Sequence, residues 1–190
     1  KLDLSSIKII TSTGSPLAEE SFKYVYENIK QDVHLASIAG GTDLVGCLVL
    51  GNLYSNVHKG EIQGQSLGID VDVFTDNGKS TKDGDKGELV VKKPFPSMPV
   101  KFWGDNDGQK YHKAYFTRFE NIWHHGDFIE RTSNNGFIMR GRSDSTLNPG
   151  GVRIGTSEIY QQVEGIDFIT EGLVVGQDFK DDVRIILFVT

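Results

Sequence analysis

The stretch 141-GRSDSTLNPGGVRIGTSEIY-160 says more about the fold than any other part of the sequence. It places Arg142, Asp144 and Arg153 around the glycine turn NPGG. Arginine offers paired donors to phosphate, and adjacent glycines let the chain bend sharply or let a ligand pass close to the backbone. A solvated hairpin would also carry such residues. The stretch is therefore a surface loop, a phosphate-binding turn or a joint between two parts.

Composition excludes several classes of protein. The 190 residues are 37% hydrophobic, which is enough for a core and excludes general disorder. A formal net charge of −6 argues against nucleic-acid binding, which needs clustered Lys and Arg. No apolar run approaches the ~20 residues of a membrane helix. The single cysteine, Cys47, has apolar neighbours and indicates a buried structural thiol in a reducing, cytoplasmic compartment.

The first third of the chain follows the pattern of an α/β sheet. We predict a buried strand over residues 7–11, a glycine turn, and a helix from Leu17 with apolar residues at 3.6-residue spacing. The segment VHLASIAG predicts a second strand. Ligands of such sheets bind beyond the strand ends.

The pattern changes after residue 59. Short alternating segments with Asn-Gly and Asp-Gly turns predict an antiparallel sheet or small barrel over residues 60–143, with Asp72 and Asp76 on its wet face. Residues 144–190 predict a helix with Thr156 or Ser157 as N-cap, then a closing hairpin. The expected fold class is α/β with a β-barrel-like antiparallel subdomain, followed by the start of a small α+β C-terminal domain. The expected divisions are 1–59, 60–143 and 144–190.

Two glycine-containing clusters offer backbone to a ligand. Gly14 and Pro16 lie in the turn STGSP, which either admits a flat ligand or is an ordinary turn. The cluster GGTD, residues 40–43, offers amides and the Thr42 hydroxyl to phosphate and the Asp43 carboxylate to Mg²⁺. A tight turn with an N-capping side chain is the alternative.

The segment WHHGDFIER forms the third cluster. Asp127 offers a carboxylate that accepts hydrogen bonds from a ribose diol, although an ordinary turn residue is the alternative. His124 and His125 suggest zinc, but adjacent strand residues point to opposite faces. With no cysteine or third histidine at metal spacing, we reject a zinc site.

The order STGSP, GGTD, GEL, HGDF and GRSDxxLNPGGxRIGTxEIY resembles the adenylate-forming acyl-CoA synthetase superfamily. The segments STGSPL, SIAGGTD and KPFPSMPVxFW resemble its acetoacetate-activating members. The resemblance implies that ATP and a carboxylic acid give an acyl-adenylate and pyrophosphate, and that coenzyme A then displaces AMP. Other short- and medium-chain acid ligases, peptide-synthetase adenylation domains and a non-catalytic module that binds nucleotide or acyl-adenylate stay open as alternatives.

The resemblance also implies where the nucleotide binds. Gly14, Ser15 and Pro16 would line the adenine pocket. Asp127 would bind both ribose hydroxyls, with Arg142 supporting the same ribose. The implied cofactors are ATP, Mg²⁺ and coenzyme A, and the implied partners are small molecules.

Reacting groups are implied in the same way. Thr42 would contact the α-phosphate, Asp43 would hold Mg²⁺, and Arg153 would reach phosphate. Gly40 and Gly41 would line the acyl pocket, where acetate-specific relatives carry a bulky Trp. A glycine at that place leaves volume for a longer acid such as acetoacetate.

The resemblance also implies a hinge between two domains, and the sequence differs from the family at two positions. Asp144 would be the hinge between a large and a small domain, and Gly151 would lie near the pantetheine arm of coenzyme A. Asp43 stands where the family usually has Glu, and His125 where Thr is common. The family's phosphate loop and adenylation lysine are expected before residue 1 and after residue 190. We therefore expect a fragment, inactive without the rest of its parent chain.

Overall fold

The computed structural model describes residues 3–180 and 182–190. Its α-helices are α1 (Glu19–Tyr24), α2 (Gln109–Tyr115) and α3 (Thr156–Val163). Its strands are β1 (Ile9–Ser12), β2 (His34–Ser37), β3 (Ala39–Gly41), β4 (Gly46–Leu50), β5 (Gly64–Gln65), β6 (Val71–Phe74), β7 (Lys86–Val91), β8 (Trp123–Arg131), β9 (Phe137–Arg142), β10 (Gly172–Phe179) and β11 (Asp182–Val189).

The chain opens with the predicted strand, turn, helix and strand. Strands β1 and β2 pair in parallel, and α1, extended by the π-helical turn Val25–Ile29, connects them. Phe22 packs inward at 2% exposure. The prediction that the first strand is buried is wrong, since Ile9 is 52% exposed. The cause is that β2 is its one strand neighbour among the described residues.

The segment VHLASIAG forms two strands rather than the single strand predicted. Strand β2 pairs with β1, whereas β3 turns into a separate antiparallel sheet of order β3-β4-β5. The register of β3 against β4 shifts between Ala39 and Gly40. Cys47 lies on β4 and is half-buried, and this burial raises the pKa of its thiol. The change of sheet carries the glycine pair away from the parallel strands.

The predicted antiparallel sheet is confirmed as an open, four-stranded sheet. Its order is β6-β7-β8-β9, and the described strands do not close into a barrel. Its apolar face packs against β4 in one core whose buried members include Leu48, Val73, Leu89, Trp123 and Ile129. Burial of these side chains is the main source of stability for this part.

Asp72 contradicts the prediction of a wet face. It is 4% exposed, and its carboxylate accepts hydrogen bonds from Ser80 Oγ at 2.7 Å and Arg131 Nη2 at 2.6 Å. A buried charge is tolerated when it is paired and hydrogen-bonded in this way. Asp76 lies beyond the end of β6 and its side chain is exposed.

The last part contains the predicted helix and hairpin. Helix α3 begins at Thr156, so the prediction of Thr156 or Ser157 as its N-cap is wrong: Gly155 occupies the N-cap position. The Gly155 amide donates to Glu158 Oε1 at 2.9 Å, which satisfies one of the free amides of the first turn. Strands β10 and β11 pair as the predicted antiparallel hairpin. Within the described residues, no helix has the length and apolar character needed to cross a membrane.

Candidate functional site

An open cleft of about 520 Å³ lies where β3, the end of α2, β8 and the turn after β9 meet. Its lining comes from four stretches that are distant in sequence: Gly40, Gly41, Asp43, Ala114, Tyr115, Arg118, His124, His125, Gly126, Arg142, Ser143 and Asp144. The structure therefore brings the GGTD cluster, the HGD cluster and the first half of the 141–160 stretch to one place.

Asp127 lies beside this cleft and is held by Arg142. Strand register places the two residues opposite each other on β8 and β9, and Arg142 Nη1 lies 3.2 Å from Asp127 Oδ1. The same nitrogen donates to the His125 carbonyl at 3.2 Å. Burial raises the pKa of the Asp127 carboxyl, and the charges of His125 and Arg142 only partly offset it. A buried carboxylate with a single guanidinium partner keeps acceptor capacity for a ligand.

The glycine of the HGD motif has a clear structural reason. Gly126 has a φ of 84°, in the left-handed region that glycine tolerates. A Cβ there would lie 2.6 Å from Arg142 Nη2. The left-handed backbone is the reason for glycine here, and the absence of a side chain also lets the Arg142 guanidinium lie against this residue.

Asp43 presents an exposed carboxylate at the cleft. Tyr115 Oη donates to Asp43 Oδ2 at 2.5 Å, and a Cβ on Gly41 would lie 2.0 Å from Asp43 Oδ1. Thr42 is exposed but does not line the cleft, and its carbonyl accepts a hydrogen bond from the Val45 amide at 3.3 Å in the turn after β3. In this orientation the Asp43 carboxylate occupies the space that a side chain at position 41 would take.

Gly40 lines the cleft, yet its lack of a side chain has another cause. A Cβ at this position would lie 2.1 Å from the Gly46 carbonyl oxygen and 2.6 Å from Cys47 Cα. Both atoms belong to the backbone of β4 and cannot move aside cheaply. The shifted register of β3 on β4 thus requires glycine whatever acid the cleft accepts.

Arg153 does not line the cleft, because its guanidinium is hydrogen-bonded to the buried carboxylate of Glu88. Arg153 Nη2 donates to Glu88 Oε1 at 2.7 Å, Nη1 donates to Asp76 at 2.8 Å, and the guanidinium lies 4.3 Å from the Phe128 ring centroid. Glu88 also accepts hydrogen bonds from His124 and Ser143. Burial alone would raise the pKa of Glu88, but these hydrogen bonds and the neighbouring arginines lower it to about 2.

The other predicted site residues lie at the edges. Gly14 has a φ of 94° in an exposed turn that leaves β1 where β2 runs on into β3. Ser15 and Pro16 follow it, and none of the three lines the cleft. Asp144 lies in the short 3-10 turn Ser143–Ser145 with its side chain 78% exposed. Gly151 ends the turn Pro149–Gly151, and its surroundings lie outside the described structure.

The two histidines of the WHHGD segment diverge. His124 Nε2 lies 2.9 Å from Glu88 Oε2, whereas the His125 ring stacks near Trp123 and its Nε2 lies 3.6 Å from Asp127. In residues 3–180 and 182–190, no group of three or more His, Cys, Asp or Glu side chains is arranged to hold a metal ion. His124 therefore hydrogen-bonds a buried carboxylate, whereas His125 accepts a hydrogen bond from Trp123 Nε1 at 3.4 Å and is only near Asp127.

Three residues of this region received no role from the sequence. A glutamate inside the apolar strand KGELVV is itself a signal that Glu88 is buried with partners. Arg118 contacts both Glu88 and Asp76, at 3.2 and 2.8 Å. Tyr115 had no signal, because its partner Asp43 lies 72 positions away in the sequence.

Comparisons with known proteins agree on one kind of relative. No protein-family model matches the chain. The acetoacetyl-coenzyme A synthetase of Rhizobium meliloti (strain 1021) is 62% identical over 187 residues, which is 98% of this chain and 29% of that protein. The acetoacetyl-CoA synthetase of Gallus gallus is 47% identical over 188 residues, 98% of this chain and 28% of that protein.

A solved structure gives the same result. The acetoacetyl-CoA synthetase from Streptomyces lividans superposes with a TM-score of 0.86 at 40% identity, covering 99% of this chain and 28% of that chain. The chain thus spans less than a third of the length of the relatives it matches.

Proposed function

Because the chain belongs to the adenylate-forming acyl-CoA synthetases over the segment it spans, we propose that it forms part of an acid:CoA ligase acting on acetoacetate. In the first step, an acetoacetate carboxylate oxygen attacks the α-phosphorus of ATP and pyrophosphate leaves. In the second, the thiolate of coenzyme A attacks the acyl carbonyl carbon and AMP leaves. The cysteine content fits a cytoplasmic location.

The observation that carries this proposal is the incomplete hydrogen bonding of Asp127. Its carboxylate has one guanidinium partner and lies next to a cleft of about 520 Å³. A ribose diol would supply the missing donors, with Arg142 holding the carboxylate in orientation. Gly14, Ser15 and Pro16 would meet the adenine as the nucleotide extends toward β1.

Asp43 fits the family's magnesium ion. It is an exposed oxygen ligand in the cleft, and Mg²⁺ binds one or two carboxylates together with water and substrate phosphates. When bound, the ion would neutralise phosphate charge. Thr42 follows β3 directly and would donate its hydroxyl to an α-phosphate oxygen. Gly40 and Gly41 would form the wall against the acid.

We assign a movement to the segment after β9. Residues 1–59 and 60–143 would form the nucleotide-binding part, and residues 144–190 would begin a smaller part that turns about Asp144. Arg153 would reach phosphate only after leaving Glu88, to which it is now hydrogen-bonded at 2.7 Å. Gly151 would approach the pantetheine arm of coenzyme A after the same rotation.

Pyrophosphate exchange tests this proposal in the full-length protein that contains this chain. We expect exchange with acetoacetate to exceed exchange with acetate, butyrate and a set of amino acids. Residues 1–190 alone serve as the matched sample, and we expect no exchange from them. Acetoacetate among the poorest substrates would contradict the assigned acid. ATP binding without exchange for any acid would favour a non-catalytic nucleotide-binding module.

A further inference from the structure

Tyr115 donates a hydrogen bond to the carboxylate that our proposed function assigns to magnesium. Its Oη lies 2.5 Å from Asp43 Oδ2, although Tyr115 is on α2 and Asp43 follows β3. The phenol O–H is the donor of this contact, because an ionised carboxylate can only accept. A charged acceptor makes this contact stronger than a hydrogen bond between neutral groups.

The Tyr115 ring is held firmly. It stacks on Trp123 with centroids 3.7 Å apart and an interplanar angle of 13°, and Trp123 is only 2% exposed. The helix itself is anchored by Asp105, whose carboxylate accepts from the Lys110 and Tyr111 amides at 3.1 and 2.8 Å. The hydroxyl is therefore a fixed point on the wall of the cleft.

Asp43, by contrast, is held by little else. It is exposed on a turn, and its Oδ1 lies in the space left by the missing side chain of Gly41. A single exposed carboxylate samples several rotamers unless another group selects one. The Tyr115 hydroxyl is the side-chain donor that selects the orientation seen.

From this geometry we propose that Tyr115 is a positioning residue: it orients Asp43 so that its carboxylate would meet the magnesium ion carried by the nucleotide phosphates. The inference rests on the proposed function, because it assumes that magnesium nucleotide binds in this cleft. The Asp43 side chain is one methylene shorter than the Glu that the family usually has at this position. The fixed hydroxyl of Tyr115 holds this shorter side chain in one orientation.

Equilibrium binding of ATP to the full-length protein, by calorimetry with Mg²⁺ and with EDTA, tests the role without using activity. We expect Tyr115→Phe, which keeps the stacked ring, to weaken Mg·ATP binding by about tenfold and to leave metal-free ATP binding unchanged. In an Asp43→Asn background, Tyr115→Phe should have no further effect. Equal weakening with and without Mg²⁺, or no weakening at all, would overturn the inference.

Tyr111→Phe is the matched control. Tyr111 lies one turn earlier on α2, contacts the same Trp123, and its buried hydroxyl has no hydrogen-bond partner in the described structure. We expect this variant to bind ATP like the wild type in both conditions. If Tyr115→Phe binds Mg·ATP as tightly as the wild type and Tyr111→Phe do, only the inference is wrong. If the wild type and Tyr111→Phe do not bind Mg·ATP at all, the proposed function is wrong.

Discussion

Glu88 and Asp127 are two buried carboxylates on neighbouring strands, one residue out of register, and their surroundings are opposite in character. Glu88 lies opposite Phe128 in the β7–β8 pairing, and Asp127 directly precedes Phe128. Glu88 is 0% exposed, accepts from His124, Ser143 and Arg153, and has a pKa lowered to about 2. Asp127 accepts from Arg142, and burial raises its pKa.

The difference separates a structural charge from one that is ready for a ligand. Glu88 has its lone pairs filled by protein donors, so a ligand would have to displace them. Asp127 carries the desolvation cost of burial without enough donors to offset it, which is the condition that a bound diol would relieve.

The two carboxylates also hold consecutive residues. Arg142 contacts Asp127, Ser143 contacts Glu88, and the exposed Asp144 comes next. The chain is thus fixed twice immediately before the proposed hinge. A rotation about Asp144 would leave the Asp127 site intact and would separate Arg153 from Glu88.

Removal of the Glu88 charge should have the largest effect, and the effect should be on stability. We expect Glu88→Gln to lower the free energy of unfolding by roughly 3–4 kcal/mol, because Arg153, Arg118 and His124 lose their anion. Urea unfolding followed by the fluorescence of buried Trp123 measures the loss. The exposed Glu120→Gln is the control. An unchanged unfolding midpoint for Glu88→Gln would contradict the claim that the Glu88 charge stabilises the fold.

Acid should reproduce that loss in the wild type. The Glu88 pKa is about 2 in the folded chain against 4.5 for an ordinary glutamate, so the unfolded chain takes up the proton first as the pH falls. This stabilisation is complete above pH 4.5 and is lost between about pH 4.5 and 2, by up to roughly 3 kcal/mol. The same titration on Glu88→Gln should be shallower in this window; parallel curves would speak against the assignment.

Removal of Asp127 should leave the protein folded and impair nucleotide use. We expect Asp127→Ala in the full-length protein to lower kcat/KM for ATP by about 100-fold, the loss of charged hydrogen bonds to the ribose. Its unfolding midpoint should stay close to wild type, because burial of this charge is unfavourable. Steady-state adenylation kinetics measure the first effect, with exposed Asp83→Ala as control. Wild-type kinetics would contradict the ribose assignment.

The smallest expected effect is at the hinge. Asp144→Pro restricts φ at the residue that follows both held positions and should slow thioester formation by about tenfold while adenylate formation changes less. Asp144→Ala, which keeps the backbone free, should behave like wild type in both half-reactions. Single-turnover measurement of each step makes the comparison, and equal loss in both would argue against a rotation.

Local chemistry predicted the elements and part of the cleft. Alternating apolar residues predicted β6, β7 and the closing hairpin, and the glycine pattern predicted the turns after β1 and at the NPGG stretch. The GGTD and HGD clusters and Arg142 do meet at one cleft. The roles assigned to these residues stay predictions, since they depend on bound nucleotide, acid and coenzyme A.

Contacts between distant segments escaped prediction for a physical reason. A hydrogen bond such as Tyr115 to Asp43, 72 positions apart, or Arg153 to Glu88, 65 apart, leaves no periodic trace in either segment. Asp72 was predicted to face solvent because strand alternation describes only its own strand, whereas its partners Ser80 and Arg131 come from the segment after β6 and from β8. The N-cap is Gly155 rather than the predicted Thr156 or Ser157, and the Gly155 amide donates a hydrogen bond to the Glu158 carboxylate.

The sequence by itself determined that residues 141–160 contain a glycine turn between a strand and a helix, because those requirements are local to the backbone; that this stretch joins two moving parts stays a prediction. Only the tertiary structure decided which carboxylate each arginine meets. Arg142 lies on Asp127 because β8 and β9 pair in that register, and Arg153 lies on Glu88 because the turn after Asp144 returns the chain over β7. The 141–160 stretch is thus hydrogen-bonded to one carboxylate with a full set of protein donors, Glu88, and to one with a single arginine donor, Asp127.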